Sequence, residues 1–312
     1  EPLERPDVSV LVVGAGPAGL ACAHGLARHG HDVVVFDANS KAGGLNEYGL
    51  ATYKTVDDFA QKEIAWLLSI GGIDIRAETV LGRDIRLAQL VEDYDAVFLA
   101  MGLAGVNAIG IPEPQAGGIR NAVEFIAELR QAGDYTQVPV GRRVVVIGGG
   151  MTAVDASVQS KKLGAAEVTM VYRRGAEAMS ASPYEQDWAR TNGVTIRHWA
   201  APREVLARDG HVTGMRFAAT ALQGGKLVET GETFDLQADI VLKAIGQSFD
   251  AAPLGAMVEL KGGRIATDAE GQTSHPKVWA GGDCRVGGRD LTVEAVEHGK
   301  LAALSIHATL AR

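Results

Sequence analysis

The chain has 312 residues, a formal net charge of -8, 46% hydrophobic and 22% charged residues. That is enough apolar sequence for the cores of two average domains, and the acidic balance excludes a chain-wide attraction to nucleic acid or to anionic membranes. No run approaches the roughly 20 apolar residues that span a bilayer, and residues 1–7 lack the apolar centre of a signal peptide, so a cytoplasmic protein with no membrane partner is expected.

A chain opening on Glu1 is expected to be processed, cut or part of a longer protein. Cys22 and Cys284 are its two cysteines. They are too few and too far apart for a CxxC redox pair or for an iron-sulfur or zinc cluster, and both read as buried inert thiols. No metal site is expected.

In chain order, Val8 to Val13 is an apolar, branched run that predicts a strand and leads into Gly14-Ala15-Gly16-Pro17-Ala18-Gly19. Leu20 to Arg28 has helical spacing and stops at Gly30, and Val33 to Phe36 predicts a second strand ending on Asp37. Strand, glycine turn, helix and strand make one dinucleotide-binding βαβ unit. Gly14 suits the tight turn, Gly16 the close approach of a pyrophosphate, and Gly19 the packing of helix on strand. The helix N-terminus offers unpaired N–H groups to phosphate. Asp37, about 20 residues on, is placed to accept from ribose hydroxyls.

Downstream, Val56 to Ile70 predicts an amphipathic helix, Ile73 to Arg76 a strand, and Ala96 to Ala100 a buried strand closed by Met101-Gly102. Residues 109–119, with Pro112, Pro114, Gly117 and Gly118, read as a linker and place a boundary near 113.

A second fingerprint follows. Val144 to Ile147 runs into Gly148-Gly149-Gly150-Met151-Thr152-Ala153 and a helix to about Leu163, with Ala153 at the third-glycine place. The next strand, Val168 to Tyr172, ends on Arg173-Arg174 instead of an acid. Guanidinium groups there suit the 2′-phosphate of NADP, although two solvated arginines on a loop are the plainer alternative. Val194 to Trp199 predicts a strand, and Val212 to Leu222 with Lys226 to Phe234 a meander turning at Gly224-Gly225. Asp239 to Ala244 is a further apolar strand ended by Ile245-Gly246. Gly102 and Gly246, closing equivalent strands, join the candidate cofactor contacts. Arg264 to Ala266, Val278 to Ala280, Gly281-Gly282-Asp283 and a helix from Thr292 to about Leu310 complete the first domain.

The expected fold is therefore α/β, with two Rossmann-like domains, the nicotinamide domain (114–244) inserted into a flavin domain built from 1–113 and 245–312. Two fingerprints imply two nucleotides, FAD and NAD(P)H, with NADPH slightly favoured.

Several stretches together carry a family likeness: Gly14 to Gly19, Gly43-Gly44-Leu45-Asn46-Glu47-Tyr48-Gly49 with Lys54, Gly148 to Ala153, Tyr172-Arg173-Arg174, residues 182–186, Ala280 to Asp283, and Thr292 to Ala303. Over essentially its whole length the chain resembles the two-dinucleotide-binding flavoprotein reductases. Within them it looks like the glutamate synthase small subunits and the flavin-bearing part of dihydropyrimidine dehydrogenase, nearest to the small subunit of the bacterial NAD-dependent dihydropyrimidine dehydrogenases.

The resemblance implies that Gly44 and Leu45 line the flavin, that Asp283 bonds its ribityl or pyrophosphate region, and that Thr292 and Val293 open a helix facing the flavin N1/O2 edge. It assigns Lys54 no catalysis. It further implies hydride transfer from NAD(P)H to FAD and onward transfer of electrons to a partner subunit or iron-sulfur acceptor, with no catalytic acid or base. Relatives carry an N-terminal cysteine-rich domain holding iron-sulfur clusters. This chain has no such cysteines, so that domain is absent from the sequence or the electrons leave by another route. A non-catalytic flavin module controlling a partner, and a disulfide reductase, are the competing readings.

Overall fold

The computed structural model describes residues 9–311; Val8, the expected start of the first strand, lies outside them. The chain forms two compact units. One takes the residues up to Glu47, Thr55–Gly105 and Ser248 onward, and the other takes Tyr48–Lys54 and Val106–Gln247.

The first unit begins with β1 (Ser9–Val13), whose four valine and leucine residues are buried, as a parallel strand covered on both faces requires. Pro17 opens α1 (Pro17–Arg28), where a missing N–H is no loss. Next come β2 (Asp32–Phe36), the single turn α2 (Leu45–Tyr48) and α3 (Phe59–Leu68). The helix expected over 56–70 starts late because Asp57 and Asp58 sit at φ 56° and 53°, a left-handed backbone from which no right-handed helix continues. β3 (Ile73–Arg76), α4 (Leu87–Asp93) and β4 (Ala96–Leu99) follow, and β5 (Gly105–Val106) marks the passage to the second unit.

That unit contains β6 (Ile119–Asn121), α5 (Ala122–Gln131), β7 (Arg143–Ile147), α6 (Met151–Lys162), β8 (Glu167–Val171), α7 (Pro183–Thr191) and β9 (Thr195–Arg197). The strand expected over 194–199 is cut short because Trp199 adopts φ 58°. The chain turns there into β10 (Ala200–Arg208), which pairs antiparallel with β11 (His211–Gln223), itself paired with β12 (Lys226–Gln237). The expected two-strand meander thus has three strands. β13 (Ile240–Lys243) then enters a parallel sheet of order β6-β13-β7-β8-β9. Alternate residues of β7 feed opposite cores: Val144 and Val146 pack with α5 and α6, while Val145 and Ile147 pack with Met215 and Phe217 of β11.

β14 (Gln247–Ser248) leads back to the first unit, where β15 (Leu260–Lys261) and β16 (Arg264–Ile265) form a hairpin before β17 (Val278–Ala280) and α8 (Thr292–Leu310). β17 pairs parallel with β4 and completes a sheet of order β17-β4-β1-β2-β3. Again β1 divides its residues, Val10 and Val12 facing α1 and α8, and Leu11 and Val13 facing α4 and residues 254–265. α8 lies close on α1 through small residues. A Cβ on Gly299 would stand 2.2 Å from the Ala18 carbonyl oxygen, and one on Gly25 2.8 Å from Ala303 Cβ.

Each parallel sheet with covered faces is a Rossmann-like arrangement, and the second is inserted into the first. The packing boundaries lie at 105 and 247, where 113 and 244 were expected. Residues 106–113 belong with the second unit because Asn107 bonds the Gly246 and Ile245 carbonyls, each at 3.1 Å, and Glu113 pairs with Lys243 at 2.9 Å. Residues 48–54, expected in the first segment, pack there too. Arg130 donates to the Leu50 carbonyl at 3.2 Å, and Tyr53 Oη donates to the buried Asp155 at 2.9 Å.

Candidate dinucleotide sites

The three glycines of the first turn meet different surroundings. Gly14 has φ 103°, and a Cβ there would stand 2.3 Å from the Ala100 carbonyl oxygen. A Cβ on Gly19 would stand 1.8 Å from the Gly14 carbonyl oxygen. Both are required by the protein's own packing. Gly16, at φ -79° and ψ -176°, is extended backbone open to any residue, and its nearest neighbour would be Gly44 Cα at an ordinary 3.7 Å. Gly16 thus leaves room beside the N-terminus of α1, whose unpaired N–H groups suit an anion.

The other expected contacts of this unit gather around that turn. Gly43 N–H donates to the Ala15 carbonyl at 2.7 Å, which presses Gly44 against Gly16 and places Leu45 at the start of α2. Pro17 and Ala18 form the first turn of α1, and a Cβ on Gly282 would meet Ala18 Cβ at 3.2 Å. Thr292 Oγ1 donates to Asn46 Oδ1 at 2.9 Å, and Val293 is exposed beside it at the head of α8. Gly102, at φ 60°, has open space on its Cβ side.

Asp37 does more than its spacing suggests. Its Oδ2 accepts from Ala15 N–H at 2.6 Å and its Oδ1 from Asn39 N–H at 2.8 Å, so the carboxylate pins the glycine turn itself, and each oxygen keeps a further lone pair.

Burial pushes the Asp283 carboxyl up to about 6, and nearby Asp290 and Glu294 add to the rise while Arg264 opposes it. An unfolded aspartate titrates near 3.8, so between 3.8 and about 6 the folded chain holds a proton that the unfolded chain has lost. Stability therefore falls as pH rises through that window and levels above it. Asp283→Asn removes this contribution: in urea unfolding of the apoprotein, the variant is expected to match the parent near pH 4 and to exceed it near pH 7. Equal stability at both would show an unperturbed carboxyl.

The second turn repeats the pattern. Gly148, at φ 150°, would put a Cβ 2.1 Å from the Ala244 carbonyl oxygen, and Ala153 is fully buried. A Cβ on Gly150, at φ -104°, would stand 3.0 Å from the Ser180 hydroxyl oxygen, the end of a side chain that can swing away. Met151 and Thr152 follow as the exposed and half-buried first residues of α6. Gly246, at φ 90°, is held by Asn107.

Arg173 and Arg174 are both exposed, and neither guanidinium is bonded among the described residues. Their backbone is fixed: Thr220 Oγ1 donates to the Arg173 carbonyl at 2.8 Å and Trp199 N–H to the Arg174 carbonyl at 3.2 Å. The loop thus presents two free cations from a rigid base.

Some contributors were not visible in the sequence. Ser180, His298, Thr220 and Asn107 come from remote segments without a motif. Lys54 pairs with Asp155 at 2.8 Å and Glu185 at 3.5 Å, and so ties residues 48–54 to α6 and α7. No group of metal-ligating side chains and no helix long and apolar enough to cross a membrane occurs among the described residues.

The sequence matches the family described as pyridine nucleotide-disulphide oxidoreductase over residues 8–299. It is 36% identical to the beta subunit of the NADP(+)-dependent formate dehydrogenase of Moorella thermoacetica, over 95% of this chain and 43% of that protein. It is 34% identical to the small chain of the glutamate synthase (NADPH) of Escherichia coli strain K12, over 96% of this chain and 70% of that one. The chain spans about half the length of several curated relatives that it matches. In fold it is similar to Mycobacterium tuberculosis FprA, solved in complex with NADPH, with a TM-score of 0.82 at 18% identity, over 98% of this chain and 85% of that one. The paired glycine turns and the match over nearly the full length place the chain in the pyridine nucleotide-disulphide oxidoreductase family, together with the glutamate synthase small chains.

Proposed function

We propose that the chain is a cytoplasmic, FAD-dependent NAD(P)H oxidoreductase that hands electrons to a partner subunit. The observation carrying this reading is the repeated glycine turn between strand and helix, in which Gly14, Gly19 and Gly148 are sterically locked while a Cβ on Gly16 would meet nothing closer than 3.7 Å. Bound FAD supplies the hydride-accepting and electron-passing chemistry that side chains lack. The chain's own work is binding and orientation. Gly16 and the head of α1 take the pyrophosphate, Asp37 holds the turn, and Thr292 and Val293 offer the positive end of α8 to an anionic edge. Gly150, Met151, Thr152, Gly246 and the arginine pair hold the nicotinamide dinucleotide, with NADPH preferred.

A partner subunit is supported by the relatives, which are described as a beta subunit and a small chain. An iron-sulfur acceptor, as in the dihydropyrimidine dehydrogenases that the sequence resembles, is the partner chemistry we favour. Disulfide reduction fits poorly. Cys22 is buried on α1, Cys284 is buried against the Leu99 and Gly281 carbonyls, and burial pushes both thiols up, that of Cys284 to about 11.

Anaerobic mixing with NADPH or NADH tests the reading. Rapid bleaching of the flavin band is the expected result. A bound flavin that ignores both nucleotides would instead identify a flavin-binding module that controls its partner without turnover.

A further inference from the structure

The Gly281-Gly282-Asp283 loop rests on a side chain that no motif marks. Gly281 N–H donates to the Leu99 carbonyl at 3.0 Å, and the Gly281 carbonyl accepts from the Cys284 thiol at 3.2 Å. Gly282, at φ 74°, gives its N–H to His298 Nδ1 at 3.2 Å. His298 projects from α8 with its side chain 13% exposed, and its Nε2 faces Glu294 Oε1 at 3.8 Å. A neutral ring accepting at Nδ1 carries its proton at Nε2, so the Glu294 carboxylate favours the tautomer that the loop needs. A Cβ on Gly281 would stand 3.1 Å from His298 Cβ, so ring-bearing helix and loop are in direct contact.

We propose that His298 is a positioning residue for the dinucleotide: its neutral imidazole fixes Gly282 and thereby the Asp283 carboxyl, and protonating it frees the loop and weakens FAD binding. The proposal rests on reading the first unit as the FAD site. Protonation would set an N–H at Nδ1 against the Gly282 N–H, replacing a hydrogen bond by two opposed donors.

The groups around the ring decide where this occurs. Burial has the largest effect and holds the imidazole below the ordinary histidine value, Arg285 lowers it further, and Glu294 and Glu297 raise it. Asp283 lies on the loop itself, and the part of α1 against Gly299, next to the ring, is the Ala18 carbonyl, the Ala21 methyl and the Cys22 backbone, none of which titrates. The ring is accordingly neutral at pH 7, and release belongs to the acid side.

The test is the FAD dissociation constant of the apoprotein and of His298→Asn, His298→Gln and His298→Ala between about pH 5 and pH 8. Asparagine places its amide oxygen near the Nδ1 position and does not titrate, whereas glutamine reaches toward Nε2. At the alkaline end the Asn variant is expected to bind within about threefold of the parent, and the Gln and Ala variants about tenfold more weakly, as for a buried N–H left unpaired. Below the ring's pKa, the parent's affinity should fall relative to the Asn variant by about tenfold per pH unit. Asp283 titrates in both proteins, so the ratio isolates His298. A flat ratio, or Asn and Gln variants that behave alike, overturns the proposal and leaves the flavin reading intact. A parent apoprotein that binds no FAD at any pH overturns both.

Discussion

Gly16→Val is expected to give a folded protein that no longer retains FAD. The backbone at Gly16 is extended, and the added Cβ would meet Gly44 Cα at 3.7 Å, so the fold accepts the side chain. The space it fills is the space beside the N-terminus of α1. Two charge-assisted bonds to phosphate lost at about 1.5 to 3 kcal/mol each amount to at least a hundredfold in the FAD dissociation constant. The same substitution at Gly19 forces a carbon to 1.8 Å from a backbone oxygen, and at Gly14 to 2.3 Å, so both are expected to lose the fold along with the flavin. Flavin absorbance of the purified variants, with far-ultraviolet circular dichroism as the measure of folding, separates the three. A Gly16→Val protein that is fully yellow would reject the pyrophosphate assignment.

Replacing Arg173 and Arg174 together by alanine is expected to raise the KM for NADPH at least about tenfold while leaving that for NADH nearly unchanged. Two guanidinium groups on a dianionic 2′-phosphate would in a dry site contribute on the order of 1.5 to 3 kcal/mol each. Both side chains are exposed, so solvent and salt reduce this, and a tenfold change is the lower bound. Their backbone is tied to Thr220 and to the Trp199 turn and no described group shares their charge, so the substitution removes a ligand contact without removing an internal one. Flavin content should not move. Unchanged NADPH kinetics would make the pair ordinary surface residues, and an equal loss with NADH would make them general nucleotide contacts.

Both βαβ units were legible because each rests on a buried branched run, a glycine turn and a helix within some thirty residues, where local pattern and tertiary demand agree. Elements shaped by distant partners were not. The pull of residues 48–54 onto the second unit comes from Asp155, Gln159 and Arg130, each far away in sequence. β10 hid behind Pro202 and a bulge between Pro202 and Glu204, which break the strict alternation that signals a strand. In the site, spacing identified Asp37 as an acid in the right place but could not show its carboxylate bonded to Ala15 N–H. His298 was silent because a histidine on a mixed helix face looks the same whether or not a loop rests on it.

The pairing of β17 with β4, and of α8 with α1, gives the protein an unusual order of assembly on the ribosome. Cys284 and Leu99, in contact in the first unit, are 185 positions apart, and all of the second unit except residues 48–54 lies between them. At synthesis rates of about 5 to 20 residues per second, β4 waits roughly ten seconds or more for its neighbour. Through that interval the all-buried strand Ala96–Leu99 has a bare edge, a template for pairing with other chains. The second unit emerges later yet has every one of its strands first, so the part of the molecule that is translated first is the part that finishes folding last.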